Sequence, residues 1–302
     1  MEIKLRRGRG VSGVCARFMS PLGLYPQITL GTIDSAFLYD SEASITLVRF
    51  SELPELEHYY SEVEWAHPEE ICLLASIALS RQDGECAIIP YPLRESYLVD
   101  LPPSVPLNDI DVLQSVKMQM MQAMRAELQT RPPEHLHFSP VLPPFLSNIA
   151  YENCGRSFTI ELYETLIAGM KPEDYLLVRG LSTWLRSAML SRHYQFFEEA
   201  ITALFISLEA SFRLILRQLK INGNLDPSAK DAAAFLGSVF NETPLERYFS
   251  EYYDKRVMSF HPESRFGVFP HAPVMVDDYY HLHGSLRALY AYLIGEYVAL
   301  WS

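Results

Sequence analysis

Arg256 and His261 are the residues whose types and spacing best suit chemistry, in the stretch "YFSEYYDKRVMSFHPESRFG" at 248–267. On a helix, Arg256 shares a face with Phe260, four residues on. At ~100° per residue His261 falls about 140° away from it. Pro262 changes this, because the residue before a proline is pushed out of the α region. His261 is therefore expected where the helix unwinds, free to swing back beside Arg256. A fixed cation and an imidazole with a reference pKa near 6.5 then share one helix end. That pair suits metal-free cleavage of an RNA phosphodiester. The imidazole takes the proton from a ribose 2′-OH or gives one to the leaving oxygen. The guanidinium holds phosphate oxygens bidentately and stabilises the charge growing on them. The plain structural alternative is an arginine capping a helix C-terminus and a histidine in an ordinary turn. Short motifs of this kind also recur by chance.

The elements that must position the pair are helical. Beyond about residue 150 the pattern predicts helices near 157–169, 172–191, 193–220, 229–240, 244–260 and 276–300. The 193–220 segment carries Phe197, Leu204, Leu208, Phe212, Ile215 and Leu219 at helical spacing, and Asn222-Gly223 ends it. The last helix places acids near its start and is apolar on more than one side. Before the helices, "RPPEHLHFSPVLPP" at 131–144 reads as a linker. The first part mixes types. Two β-type runs, "YPQITLGTI" and "ASITLVRF", lie within 25–50 around the turn-rich "YDSEAS". A helix over about 68–81 opens on Pro68 and two glutamates. An extended stretch broken by prolines follows, then a helix over about 108–130 with Asn108 as its cap. The expected class is α+β: a mixed α/β region over 1–150, then an all-α region over 151–302.

The stretch from about 193 to 300 resembles a HEPN domain (the nucleotide-binding domain shared by higher eukaryotes and prokaryotes) of the Apea-like kind. Three segments carry the resemblance: "FISLEASFRLIL" at 205–216, "AKDAAAFLGSVF" at 229–240 and "YYDKRVMSFHP" at 252–262. The last is similar to the family's R-x4–6-H motif at a helix end. The resemblance covers about a third of the chain, and 1–150 adds nothing to it. It implies a four-helix bundle that pairs into a homodimer, two motifs meeting in one cleft, and metal-independent endoribonuclease activity. By position the catalytic pair is Arg256 and His261. Glu209 in the long helix is the family-like acid that would orient the arginine. Its alternative is an i,i+4 pair with Arg213, worth a few tenths of a kcal/mol. The sequence departs from the family at Val257, where active members commonly carry Asn, Asp or His. Ser259 is a partial substitute on another part of the helix. Members with a degraded motif serve as dimerisation or binding modules, which is the alternative expectation here.

Other residues invite weaker readings. Arg265 in "SRFG" would add a phosphate contact or simply face water. The "HLH" pairs, His135 with His137 and His281 with His283, suggest metal. On a helix, residues two apart point about 200° apart, so His281 and His283 cannot chelate together. No third ligand stands at a convincing spacing from the first pair. Tyr279, Tyr280, Tyr290, Tyr292 and Tyr297 could stack bases, but their helical spacing favours the core. Gly8, Gly10 and Gly13 precede no G-K-[ST], so no cofactor is expected. The arm "KLRRGRG" would contact phosphates or fray as a solvated terminus.

Composition bounds these readings. The chain is 49% hydrophobic and 21% charged, ordinary for a globular protein long enough for two domains. Its longest uncharged stretches fall short of the ~20 apolar residues a membrane span needs. The basic start lacks the apolar region of a secretory signal. Cys15, Cys72, Cys86 and Cys154 are scattered, as in a reduced cytoplasmic protein without structural zinc. Net charge is −12, so any RNA contact must be a local cleft. From 193 onward, 9 basic and 13 acidic residues give −4, leaving −8 on 1–192. Within these bounds, the resemblance implies a cytoplasmic HEPN-type ribonuclease, expected as a toxin or defence effector. Residues 1–150 would act as sensor or regulator, open to a regulatory protein partner.

Overall fold

The computed structural model describes residues 4–7, 13–19, 28–40, 43–50, 66–80, 92–130, 159–191, 194–240 and 276–296. The fold is α+β, an antiparallel sheet followed by helices. Its contacts divide the chain into two units. One comprises Met1–Leu74 and Ile88–Ser157, the other Ala75–Ala87 and Phe158–Ser302. The sequence reading places a single break near 150 and does not foresee the short stretch that joins the second unit.

Six strands build the first unit: β1 (Lys4–Arg7), β2 (Gly13–Met19), β3 (Ile28–Gly31), β4 (Ser35–Tyr39), β5 (Ser44–Phe50) and β6 (Pro92–Asp100). They lie in the order β1-β6-β2-β5-β4-β3, each pair antiparallel. The register sets Ala16 opposite Leu47 and Arg17 opposite Thr46. Successive side chains point to opposite faces. One face therefore gathers Val14, Ala16, Phe18, Ala36, Leu38, Ile45, Leu47, Tyr97 and Val99. Helix α2 (Ile110–Thr130) covers it with Val112, Leu113, Val116 and Met120. The opposite face carries Arg17 and Thr46 and meets the start of helix α1 (Pro68–Leu79). Burial on both faces is why β2 and β4 read as near-continuous apolar runs instead of alternating.

Two expectations here need correction. Asp109, not Asn108, caps α2: its Oδ1 accepts from the backbone N–H of Asp111 at 2.8 Å and of Val112 at 3.4 Å. The basic N-terminal segment is not a frayed arm at Lys4–Arg7, because those residues form a strand paired with β6. The β4–β5 turn is tied to α2 by the buried Lys117, whose Nζ donates to Asp40 Oδ2 at 2.6 Å. Asp40 Oδ1 in turn accepts from the Ala43 N–H at 3.0 Å, shaping the turn.

The second unit holds α3 (Ile160–Gly169), α4 (Tyr175–Leu190), α5 (Phe197–Ile221, entered through the 3₁₀ turn Tyr194–Phe196), α6 (Ala229–Phe240) and α7 (Val276–Gly295). The predicted helices at 157–169, 172–191, 193–220, 229–240 and 276–300 all appear, with shifted ends. The one expected over 244–260 lies outside the described residues. Asp174 caps α4 by accepting from the Leu177 N–H, and it pairs with Arg217 near the far end of α5. That pairing makes α4 and α5 antiparallel neighbours. Gly223 ends α5 with a φ of +97°, a conformation glycine adopts without a Cβ penalty. Its N–H bonds Lys220 O, and the Asn224 N–H bonds Leu219 O. Helix α7 buries residues around most of its girth, from Tyr279 and Leu282 to Leu289 and Tyr290. Among the described residues no helix is long and apolar enough to cross a membrane.

Candidate functional site

Arg256, Ser259, His261 and Arg265 lie outside the described residues, as does Val257. The structure does describe the two helices that bracket them, α6 and α7. The rings of Phe235 and Phe240 on α6 approach Tyr292 of α7, with centroids 5.9 and 6.0 Å apart. Phe240 is the last residue of α6, and Tyr292 lies near the C-terminal end of α7. Val276 opens α7 at its other end, about 24 Å away at 1.5 Å per residue. The described residues flanking the motif's segment are thus held toward opposite ends of one helix.

Glu209 is the one proposed site residue that the structure describes. It sits on α5 with its side chain 38% exposed, and its Oε1 accepts from Arg213 Nε at 3.1 Å. This is the ordinary i,i+4 pair of a helix surface.

Beside it, the interior of the helical unit is closed by polar ties. Tyr290 Oη donates to the Ser207 carbonyl at 2.9 Å and lies 2.9 Å from Ser207 Oγ. Ser207 Oγ also lies 2.9 Å from the Gly180 carbonyl oxygen, to which it donates. One residue each from α4, α5 and α7 thus meets in a single knot. Burial pushes the Tyr290 hydroxyl well above the usual tyrosine range, so it stays a protonated donor. Nearby, Trp184 Nε1–H donates to the His283 carbonyl at 3.1 Å, and its indole stacks on the His283 ring at 4.8 Å. Ser187 Oγ donates to Tyr279 Oη at 3.0 Å.

These contacts decide the readings of the last helix. His283 is buried against Trp184, whereas His281 is exposed, so the two do not converge. Among the described residues no three His, Cys, Asp or Glu side chains gather to hold a metal. His135 and His137 lie outside the described residues. Tyr279 and Tyr290 belong to the core, as the spacing predicts, and Tyr292 is half-buried. Tyr280 does not follow them: it is 54% exposed. Its position on α7, next to buried Tyr279, turns it outward by one residue's rotation. Tyr297 lies outside the described residues.

No family model, curated protein or solved structure matches the chain.

The sheet unit holds a charged cluster that the sequence reading missed. Arg17 Nε donates to both carboxylate oxygens of Glu70 at 3.1 Å, and Thr46 Oγ1 donates to Oε1 at 2.8 Å. The side chains of Arg17 and Glu70 are 1% and 0% exposed. One turn before Glu70, His67 stacks on Phe50 with centroids 4.1 Å apart. Enclosed to this degree, the cluster offers no face to a substrate. Its effect is to clamp α1 to the sheet through a pair whose charges satisfy each other. The available signal was Arg17 itself, a lone cation inside the apolar run "GVCARFM".

Proposed function

We propose that the chain is a metal-independent endoribonuclease of the HEPN type, acting in the cytoplasm as a toxin or defence effector. The observation that carries this reading is the sequence R-V-M-S-F-H-P at 256–262, set in the chain between α6 and α7 of a unit whose described elements are helices. His261 acts as general acid and base. Arg256 binds the phosphate and stabilises its developing charge. Arg265 adds a phosphate contact and Ser259 a polar group near it. Two helical units pair so that both motifs serve one cleft, and the sheet unit selects the substrate or answers to a regulatory partner. In EDTA, purified protein is expected to fragment total RNA. Substituting His261 by Ala is expected to slow cleavage by ~10²–10⁴. Intact RNA with wild-type protein, or an unchanged rate in His261→Ala, removes the assignment.

A non-catalytic reading is favoured by two specific observations. Val257 stands where active HEPN members carry a polar residue, and Glu209 pairs with Arg213 at the helix surface. On that reading the helical unit dimerises or binds RNA or a nucleotide without cleaving. Retention of labelled RNA without fragments in the EDTA assay identifies it.

A further inference from the structure

The sheet unit carries an exposed apolar patch whose parts are pinned together. Ile33, in the turn between β3 and β4, is 65% exposed, and Ile110, the first residue of α2, is 48% exposed. The Ile33 carbonyl accepts from the Leu107 N–H at 2.9 Å, which sets the turn beside the loop that leads into α2. Pro106, just before Leu107, is exposed. Its carbonyl accepts from the Asp109 N–H at 3.4 Å, a turn that brings Ile110 to the same junction. Arg49 locks turn to loop: Nε donates to Asp34 Oδ1 and Nη2 to the Val105 carbonyl, both at 3.0 Å. Within the turn, Thr32 Oγ1 accepts from the Asp34 and Ser35 N–H groups at 3.2 Å. Charge here is mostly of one sign. Residues 32–35 and 102–111 hold Asp34, Asp109 and Asp111, all exposed, and no lysine or arginine. Setting Arg49 against the three acids leaves −2.

We propose that this patch docks a partner protein through a segment that combines aliphatic side chains with lysine or arginine. This rests on the regulatory-partner part of the function proposed above and names the surface that the partner uses. Ile33, Pro106 and Ile110 supply apolar area to be removed from water. The carboxylates around them favour a cationic segment and reject an anionic one. The bonds that pin turn to loop leave little of the surface to be ordered on binding, which lowers its entropic cost. Charge also argues against other occupants. The same carboxylates repel the phosphates of a nucleic acid. A second copy docking symmetrically would set the same acidic patch against itself.

The test uses the full chain and a fluorescein-labelled dodecapeptide of alternating leucine and arginine, followed by anisotropy. Dodecapeptides alternating serine with arginine, and leucine with glutamate, are the controls. The leucine–arginine peptide is expected to bind about tenfold more tightly than either control. Ile33→Ser and Ile110→Ser are each expected to weaken it about tenfold, the loss typical of truncating one interface anchor. Asp111→Asn, which leaves the Asp109 cap in place, is expected to reduce the salt dependence of binding. Met118→Ser alters another exposed apolar side chain of α2, eight residues on from Ile110, and is expected to change nothing. No preference for the leucine–arginine peptide overturns the proposal, as does an equal loss in Met118→Ser. So does self-association of the wild-type chain that Ile33→Ser abolishes, since the occupant is then a second copy. Binding of single-stranded RNA lost in Ile33→Ser overturns it as well. Binding is read independently of cleavage. If the peptide does not bind while RNA is cleaved, this inference falls and the ribonuclease reading stands. If the peptide binds as expected while RNA stays intact, the surface stands and the ribonuclease reading falls.

Discussion

Substituting Gly180 by Ala tests how α4, α5 and α7 meet. A Cβ at Gly180 would lie 2.3 Å from Tyr290 Oη, and 3.1 Å from both Tyr290 Cζ and the Ala210 Cβ. The phenol cannot swing aside cheaply: it is fully buried and held by two contacts to Ser207. Overpacking of this kind costs about 1–3 kcal/mol. Displacing the hydroxyl forfeits hydrogen bonds worth about 1 kcal/mol each. Helix propensity returns about 1 kcal/mol for exchanging glycine with alanine. Gly180→Ala is therefore expected to destabilise the helical unit by about 2–3 kcal/mol. Tyr290→Phe alone is expected to cost about 1–3 kcal/mol, because it strips Ser207 of a buried partner. With the phenol oxygen gone, the 2.3 Å contact disappears and only the two 3.1 Å contacts remain. In the Tyr290→Phe background, Gly180→Ala should then cost about 1 kcal/mol or less, leaving a coupling of about 2 kcal/mol between the sites. Urea unfolding followed by far-ultraviolet circular dichroism, with unchanged m-values, measures all four corners of the cycle. If the two single effects add within about 0.5 kcal/mol, the hydroxyl does not sit over Gly180 and the three-helix knot is wrong.

Two further changes probe the ion pairs. Glu70→Gln leaves Arg17 as a buried guanidinium without its counter-charge and is expected to cost about 3–5 kcal/mol, whereas the apolar pair Arg17→Met with Glu70→Leu should cost distinctly less. Equal losses in the two variants, read by urea titration, would count against a matched buried pair. At Asp174, burial alone would raise the carboxyl pKa, but the Arg217 hydrogen bond and the Leu177 N–H outweigh it and hold it below the usual range. A depressed folded pKa means stabilisation that is fully present above the unfolded value, about 3.9, and lost as pH falls through the lower folded value. Asp174→Asn should therefore flatten the acid limb of stability below about pH 4, by less than about 1 kcal/mol because Arg217 is half exposed. An acid limb identical to wild type would show that the pair carries no linked proton.

How far the sequence reveals this molecule depends on how many faces an element buries. Helix α5 has one apolar side, so Leu204, Leu208 and Ile215 announce it, and Asn222-Gly223 mark its end. Helix α1 is announced by Pro68, Glu69 and Glu70, yet nothing in that pattern says that Glu70 turns inward to Arg17. Strands β2 and β4 are buried on both faces, so they lack the alternation that would reveal them, and β4 spans five residues between turns. Asn108 and Asp109 are both good caps, and only backbone geometry selects the second. Of the candidate site, Arg256 and His261 lie outside the described residues, and the surface pair of Glu209 with Arg213 follows from i,i+4 spacing. Spacing does not single out the exposed Tyr280, because α7 is apolar on several sides and a period cannot assign a face where nearly every face is buried.

That crowding of α7 also bears on how the proposed chemistry would be supported. General acid–base catalysis needs a histidine held in place by neighbours whose own positions are fixed. In the helical unit the fixed groups are interior: Tyr290 knotted to Ser207 and Gly180, Trp184 bonded to the His283 backbone, and Tyr279 bonded to Ser187. Each tie joins α7 to α4 or α5, so α7 cannot shift along its axis without breaking buried hydrogen bonds on both neighbours. The Tyr292 contacts bring α6 into the same rigid set. The polar residues of this core therefore hold in register the helices that bracket Arg256 and His261, so their removal should lower both stability and any activity that depends on the motif. His283 is excluded from such a role by its burial against Trp184, so it does not compete with His261 as the reacting imidazole.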